Sequence, residues 1–491
     1  MNIFQRIRAS EKIRMPIIAD SQFSALLTFS TLQAQAGRWR SLRARVAGHG
    51  LLSTILTVGS LTLLVKFAAA GKEVFVARQL GVGDALDAFL VAFSLPGIAM
   101  NVISGSFNVA LIPTYIRVRE RDGDEEAHRL LSSVMFWSLC LLLSVSVLLA
   151  CVFPIALPHL APNFPPQKLA LTRMLFEFLL PIVTVTGLAT TWMAVLNAHG
   201  EFATPATIPI MSSLTIVLGL LSRLQLSTVW GLAVWTLVGA CLEIALLGGC
   251  LWRRGIPMIP RPSRAGADLR HVMRQYAPLA AASLVFSGTT LADQMVAARL
   301  GPGSVSALSY GGKVIALIMG VSATAVSTSV LPHFSHLVAV GDWQRLRGEL
   351  KLYTVLILGA LIPAAVLLCY FSVPLVRLVF ERGAFTRADT RLVAQVQVCL
   401  APQLPFYTLG LMYLRLISAL KNNDHILRVA SASVVLNFIL DVAFAKYFGV
   451  AGIALSTSCV SLIYCAILYW SLIRMLTPPD TPAEACLGEG Q

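Results

Sequence analysis

Long apolar runs separated by short punctuated polar stretches recur along the whole chain, and their length is more informative than their periodicity. A helix crosses the hydrocarbon core of a bilayer with about 20 mostly apolar residues. Runs of that size occupy residues 51–71, 85–113, 130–157, 171–196, 204–222, 228–252, 276–298, 304–331, 352–376, 392–419, 428–446 and 449–473. With no water to satisfy the backbone inside a bilayer, each run is expected to be helical. The prediction is an all-α polytopic membrane protein of about twelve transmembrane helices. One region is unusual: LLVKFAAAGKEVFVARQLGVGDALDAFLVAF, residues 63–93, begins and ends in apolar sequence yet carries Lys66, Lys72, Glu73, Arg78, Asp84 and Asp87.

Composition supports the membrane reading. Of 491 residues, 56% are hydrophobic and only 13% charged, with a mean hydropathy of +0.75, too few polar residues to cover a water-soluble globule of this size. The nine cysteines fall almost entirely inside the spans without a CxxC pair, so neither a disulfide framework nor a metal site is expected. No GxxxxGK[ST] sequence occurs, which argues against an intrinsic ATPase. The longest loop between spans, 253–275, is basic and lacks the acidic pairs of a polytopic glycosyltransferase. No catalytic residues are assigned, and the chain is not read as an enzyme.

Lysine and arginine place the loops. Residues 1–50 hold Arg6, Arg8, Lys12, Arg14, Arg38, Arg40, Arg43 and Arg45 against Glu11 and Asp20, with no signal-peptide core. They read as a basic cytoplasmic arm, an overpredicted start codon being the rival for residues 1–45. Further cytoplasmic loops carry Arg117, Arg119, Arg121 and Arg129, then Arg253, Arg254, Arg261, Arg264, Arg270 and Arg274, then Arg345, Arg347 and Lys351, then Lys421 and Arg428. Both termini are therefore expected inside. The turn VRLVFERGAFTRADTR breaks the rule, with Arg377, Arg382, Arg387 and Arg391 on the predicted outer side. The net charge of +14 expresses the loop asymmetry; attraction to anionic membrane lipid is expected and nucleic-acid binding is not.

The chain also repeats itself. ARQLGVGDALDAFL from Ala77 matches ARLGPGSVSALSY from Ala298, with Gly81 and Gly301 offset by 220, and GLAVWT from Gly231 matches GIALST from Gly452, offset by 221. Two matches at nearly one offset indicate duplication. Six spans per half make the halves parallel repeats, with a cleft between them at the bilayer midplane. The expected organisation is an N-lobe over 51–252, a cytoplasmic linker over 253–275, a C-lobe over 276–476 and a polar tail over 477–491.

Ionisable side chains in a bilayer face a bundle interior or an aqueous cavity. Lys66 and Glu73, seven residues apart, share a helical face, and Lys313 lies deep in SALSYGGKVIALIMG beside Gly311 and Gly312. Two readings stand open for these lysines: a buried interhelical ion pair, or a cationic cavity for a phosphate or diphosphate. Lys72 and Arg78 could equally snorkel to the interface. Glu177, Glu243, Arg415 and Asp441 sit in spans without a partner at short spacing, and Asp293 lies near the outer end of its span. Of the acidic residues, Asp293, Glu243 and Asp441 are candidates for a coupling cation or proton or for gating. No other cofactor is expected.

VARQLGVGDALDAFLVAFSLPG, SGSFNVALIPTY, VFERGAFTRADT and GVAGIALSTS together resemble the MviN/MurJ family, flippases of the multidrug/oligosaccharidyl-lipid/polysaccharide exporter superfamily. The resemblance runs from about Leu61 to Leu476. It implies two six-helix lobes around a cavity that opens alternately to either side of the bacterial inner membrane. It also implies transport of an undecaprenyl-diphosphate-linked saccharide, typically lipid II, with the chain expected as a monomer. The family's basic cavity positions fall at Lys66, Lys72 and Lys313, and its acidic positions at Glu73 and Asp87; with Arg78 these form the candidate substrate-binding set. Lysine replaces the usual arginine at all three basic positions, which keeps charge but loses the bidentate fork. Met100 and Asn101 stand where the family carries paired arginines. The alternatives are flipping of an exopolysaccharide or O-antigen repeat unit, a cation-coupled drug antiporter, and a non-transporting scaffold.

Overall fold

The computed structural model describes residues 59–222, 228–261, 267–420 and 423–476. The basic arm, the start of the expected first span and the polar tail lie outside the described residues. Contacts separate Met1–Ser60 from Leu61–Gln491, and the architecture below is that of the second unit.

Helices joined by short turns and loops make up the described residues, with no strand among them. The chain is helical over 59–80 (α1), then Asp84–Asp122 (α2), Asp124–Leu160 (α3), Pro166–Leu179 (α4), Pro181–Ala198 (α5), Ala203–Thr207 (α6), Ile210–Leu221 (α7) and Thr228–Arg253 (α8). The second half continues with Ala267–Ala297 (α9), Ser304–Ala325 (α10), Leu331–Val340 (α11), Trp343–Tyr370 (α12), Ser372–Phe380 (α13), Arg387–Leu400 (α14), Gln403–Ala419 (α15), Asn423–Phe448 (α16) and Val450–Leu476 (α17). Among the described residues nine segments are long and apolar enough to cross a membrane. Counting α1, α9 and the broken pass α14–α15 with them, the chain makes about twelve passes.

Proline sets most of the breaks, because it lacks the N–H and crowds the preceding turn. Pro181 begins α5 where α4 ends, and Pro402 separates α14 from α15. A π-helical turn, Val326–Val330, precedes Pro332 in α11 and absorbs what a regular α-turn would not. Two boundaries differ from the sequence expectation. The first span, expected to end at 71, stays helical to residue 80, because Lys72, Glu73 and Arg78 interrupt hydropathy without interrupting helicity. Helix α9 begins at Ala267, inside the expected linker.

Three buried clusters describe how the halves meet. The largest joins Val76, Ala77, Leu86 and Ala88 of the first half to Val296, Ala297, Val305, Tyr310, Phe380 and Phe385 of the second. It lies at the end of the bundle bearing the α1–α2, α3–α4, α9–α10 and α13–α14 loops. Toward the opposite end α9 stays with the first half, its Leu269, Val272 and Tyr276 packing with Leu111, Tyr115, Leu131 and Leu251, while Phe334, Leu346, Tyr413 and Leu468 form a core made by the second half alone. With α9 running beside α2, the rest of the second half shares a core with the first at one end and has its own at the other, an arrangement that opens as a V from a joined apex. Outward-facing apolar side chains such as Val147, Ile155, Val355 and Val366 are exposed, as a lipid-facing surface requires.

Candidate functional site

Helices α1 and α10 line the inside of the V, running antiparallel. Glu73 of α1 is the meeting point: its Oε1 lies 3.1 Å from Lys72 Nζ and 3.1 Å from Lys313 Nζ across on α10. Two ammonium groups share one carboxylate oxygen, so the cluster is cationic overall. Its members are half-buried, which strengthens each interaction relative to water without sealing it. Of the two readings left open by the sequence, the interhelical ion pair is present for Lys313, and the cluster keeps one positive charge in excess.

Lys66 lies two turns from Glu73 on the same face. It makes no ion pair among the described residues and lines a cleft of about 380 Å³ with Leu63, Phe67, Leu317, Ile318, Val321, Ser322 and Leu361. The cleft walls are almost wholly apolar, so a cation stands at the edge of a hydrophobic channel between α1, α10 and α12.

Asp87 belongs elsewhere. Only 1% exposed, it accepts hydrogen bonds from the backbone N–H of Gly303 and Ser306, each 2.8 Å, and pairs with buried Lys168 at 3.0 Å. It caps the N-terminus of α10 from the other half of the molecule, where orphan donors and the helix dipole favour a carboxylate. Asp84 completes the arrangement by reaching Lys168 at 2.5 Å. Two of its three contacts reach across to the other half and the third goes to Lys168 of its own, so in this conformation Asp87 is a tie between the halves and, being buried, presents no surface to a ligand.

Arg78 takes part in the same closure through its backbone. Its carbonyl accepts from Ala384 N at 2.8 Å, and Asn163 Nδ2 donates to the Arg299 carbonyl at 2.5 Å. These contacts are reciprocal: Arg78 and Arg299 are 221 apart, as are Asn163 and Ala384, the offset of the sequence repeat. Two glycines make the fit possible. Gly81 and Gly383 have φ of +60° and +63°, and a Cβ at either would stand 2.5 Å from the Ala384 carbonyl oxygen or 2.3 Å from that of Arg78. Arg78 as a residue remains exposed.

The structure gathers two of the three acidic candidates. Asn437 Nδ2 donates to Asp293 Oδ1 and to Asp441 Oδ2, each 2.7 Å; Ser456 donates to Asp441 and Thr457 lies 3.5 Å from Asp293. The cluster sits where α9, α16 and α17 pack. Glu243, half-buried on α8, has no hydrogen bond or ion pair among the described residues and is not part of it. Sequence reasoning missed Lys168, Asn437, Ser456 and Thr457. Only Asn437, four residues before Asp441 and so on its helical face, carried a local signal.

A family model described as "Lipid II flippase MurJ" matches residues 76–483. A Synechocystis protein named as a probable lipid II flippase MurJ is 27% identical over 449 residues, covering 84% of this chain and 80% of its own. The Burkholderia cenocepacia lipid II flippase MurJ is 26% identical over 448 residues, covering 86% and 84%. Among solved structures, one titled "Lipid II flippase MurJ, inward closed conformation" superposes with a TM-score of 0.73 at 24% identity, covering 85% of this chain and 87% of the other. An inward-facing multidrug transporter of the MATE family superposes at 0.70 with 14% identity, covering 86% and 98%.

Proposed function

The chain belongs to the lipid II flippase MurJ family, and from that premise we propose that it moves lipid II from the cytoplasmic to the periplasmic leaflet by alternating access. The observation that carries the reading is the Lys72–Glu73–Lys313 cluster, with Lys66 beyond it over an apolar cleft. Glu73 acts as resident counter-ion. An arriving diphosphate offers each lysine a stronger, doubly charged partner, and Lys engages it as a point charge. The cleft beside Lys66 offers the prenyl chain a surface while the headgroup enters. No bond is made or broken; the protein supplies charge, shape and a conformational change.

The orientation we propose places the apex of the V at the periplasmic face and its mouth in the cytoplasm, in a bacterial inner membrane with both termini inside. The arginine-rich α2–α3, α8–α9 and α11–α12 loops at the open end support it. The structure is then the inward-facing state, closed outside by Asp87 and the two reciprocal loop contacts. Opening must break those ties and close the mouth. We further propose that Asp293 and Asp441 hold a coupling proton or monovalent cation. Two carboxylates bridged by one amide inside a helix bundle carry more negative charge than Asn437 can balance. Each charge moved through the field is worth about 2.3 kcal/mol per 100 mV, so the membrane potential favours return of an empty cationic site toward the cytoplasm.

Complementation tests the assignment. In a bacterium depleted of its own lipid II flippase, the parent chain is expected to restore outer-leaflet lipid II, and Lys66→Ala/Lys313→Ala at equal membrane level is not. A well-inserted parent that fails points to another polyprenyl-linked saccharide, for which Met100 and Asn101 supply the reason.

A further inference from the structure

The arginines around the α13–α14 loop, which violate the charge rule for their side of the membrane, are not explained by the transport cavity. Arg377 and Arg387 flank Glu381, Arg382 follows it in the chain, and the stem of Arg78 from the other half lies against Gly383 in the same loop. Glu381 reaches Arg377 and Arg387 at only 3.6 and 3.7 Å, too long for hydrogen bonds, while its other oxygen accepts from Thr390 at 2.8 Å. Asp389 is committed to the Thr386 capping box that starts α14. The side chains of Arg377 and Arg387 are 63% and 83% exposed. Two guanidiniums therefore share one carboxylate without a hydrogen bond to it, Arg382 donates to the Leu378 carbonyl at 3.1 Å, and the four arginines bring far more positive charge than Glu381 can balance.

The fold does not require them. At the repeat offset of 221, Arg377, Arg382 and Arg387 correspond to Ala156, Ala161 and Pro166, and that half builds the same helix–loop–helix with no charge at those places. Beside the patch, Tyr370, Phe371 and Leu378 are exposed at 78%, 51% and 69%, so the basic loop adjoins an apolar surface at the outer interface. Side by side, an apolar flank and a fork of guanidiniums match a lipid with a multiply charged phosphate head. Because Arg78 comes from one half and the other three from its partner half, the patch straddles the seam that must part when the outer end opens.

We propose that Arg78, Arg377, Arg382 and Arg387 form an outer-leaflet release site for the diphosphate headgroup of the transported lipid. The site rests on the transport reading above for the origin of its ligand. It receives the headgroup as the cavity lysines give it up, and recapture by Glu73 resets the cavity behind it.

The test uses a photoreactive farnesyl diphosphate added from outside to right-side-out vesicles containing the full chain. Labelling is expected within residues 371–391, to fall roughly tenfold or more in Arg377→Gln/Arg382→Gln/Arg387→Gln, and to persist in Lys66→Ala/Lys313→Ala. Inorganic pyrophosphate should compete and phosphatidylglycerol vesicles should not. Labelling elsewhere, insensitivity to the triple substitution, or equal competition by phosphatidylglycerol, which marks a general anionic-lipid surface, would overturn the proposal. Patch labelling in a chain that fails complementation would overturn the lipid II assignment and leave the diphosphate site standing.

Discussion

Replacing Asp87 by Asn should loosen the outer closure specifically. The substitution keeps shape but removes the charge opposite Lys168 and leaves one oxygen to serve the two N–H groups of Gly303 and Ser306 that the carboxylate now accepts from at 2.8 Å. Breaking a buried ion pair outright costs about 3–5 kcal/mol. Here Asp84 still reaches Lys168 and the amide oxygen still accepts one N–H, so about 2 kcal/mol is the appropriate scale. That corresponds to roughly 30-fold in the ratio of closed to open outer ends. Spin labels at Glu177 and Val373, both exposed near that end on opposite halves, report it by pulsed dipolar distance measurement in nanodiscs. The parent should give one short distance, and Asp87→Asn should add a longer population. Asp84→Asn should do so more weakly, because Asp84 makes no cap. An unchanged distance distribution in Asp87→Asn would refute the assignment of this carboxylate as the tie between halves.

Other expectations follow from single contacts. Gly383→Ala puts a Cβ 2.3 Å from the Arg78 carbonyl oxygen at a φ of +63°, so it should favour the outward-open distance in the same measurement; a closed population equal to that of the parent would count against the fit described. Glu73→Gln leaves two ammonium groups without their shared carboxylate and should tighten diphosphate-lipid binding while slowing turnover, read as binding affinity against flipping rate in one preparation. Asn437→Leu removes the donor joining Asp293 and Asp441; flipping should lose its dependence on an imposed proton or sodium gradient while diphosphate binding is retained. Phe176→Ala deletes one ring of the buried Phe153–Phe176 stack, with centroids 3.7 Å apart, and should lower unfolding stability in detergent by about 3–5 kcal/mol without changing the distance distribution.

What the sequence disclosed and what it hid divide along chain distance. Helical passes were legible because an apolar run long enough to span a bilayer has few alternatives, and the duplication was legible because two separate strings share one offset. Helix α1 was cut short at residue 71 because hydropathy falls at Lys72 and Glu73, although backbone hydrogen bonding continues there; the missing information was Lys313 on another helix. Asp87 joins the cavity charges only through the family resemblance, and capping a helix 216 residues away leaves no local signature to correct it. The link between Asp293 and Asp441 is hidden for the same reason, with 144 residues separating Asp293 from the Asn437 that joins them. The outer arginines were visible as an anomaly of charge, but their meaning needed the repeat partner, which shows that the loop folds without them.

The central claim is that lysines inside the V carry the diphosphate across. Flipping of fluorescent lipid II in proteoliposomes, read by accessibility to an externally added periplasmic-side hydrolase, tests it directly. The account predicts transport by the parent that is faster with the proteoliposome potential oriented as in the cell, and near-background transport by Lys66→Ala/Lys313→Ala with unchanged folding. Equal transport by the double variant and the parent would contradict it.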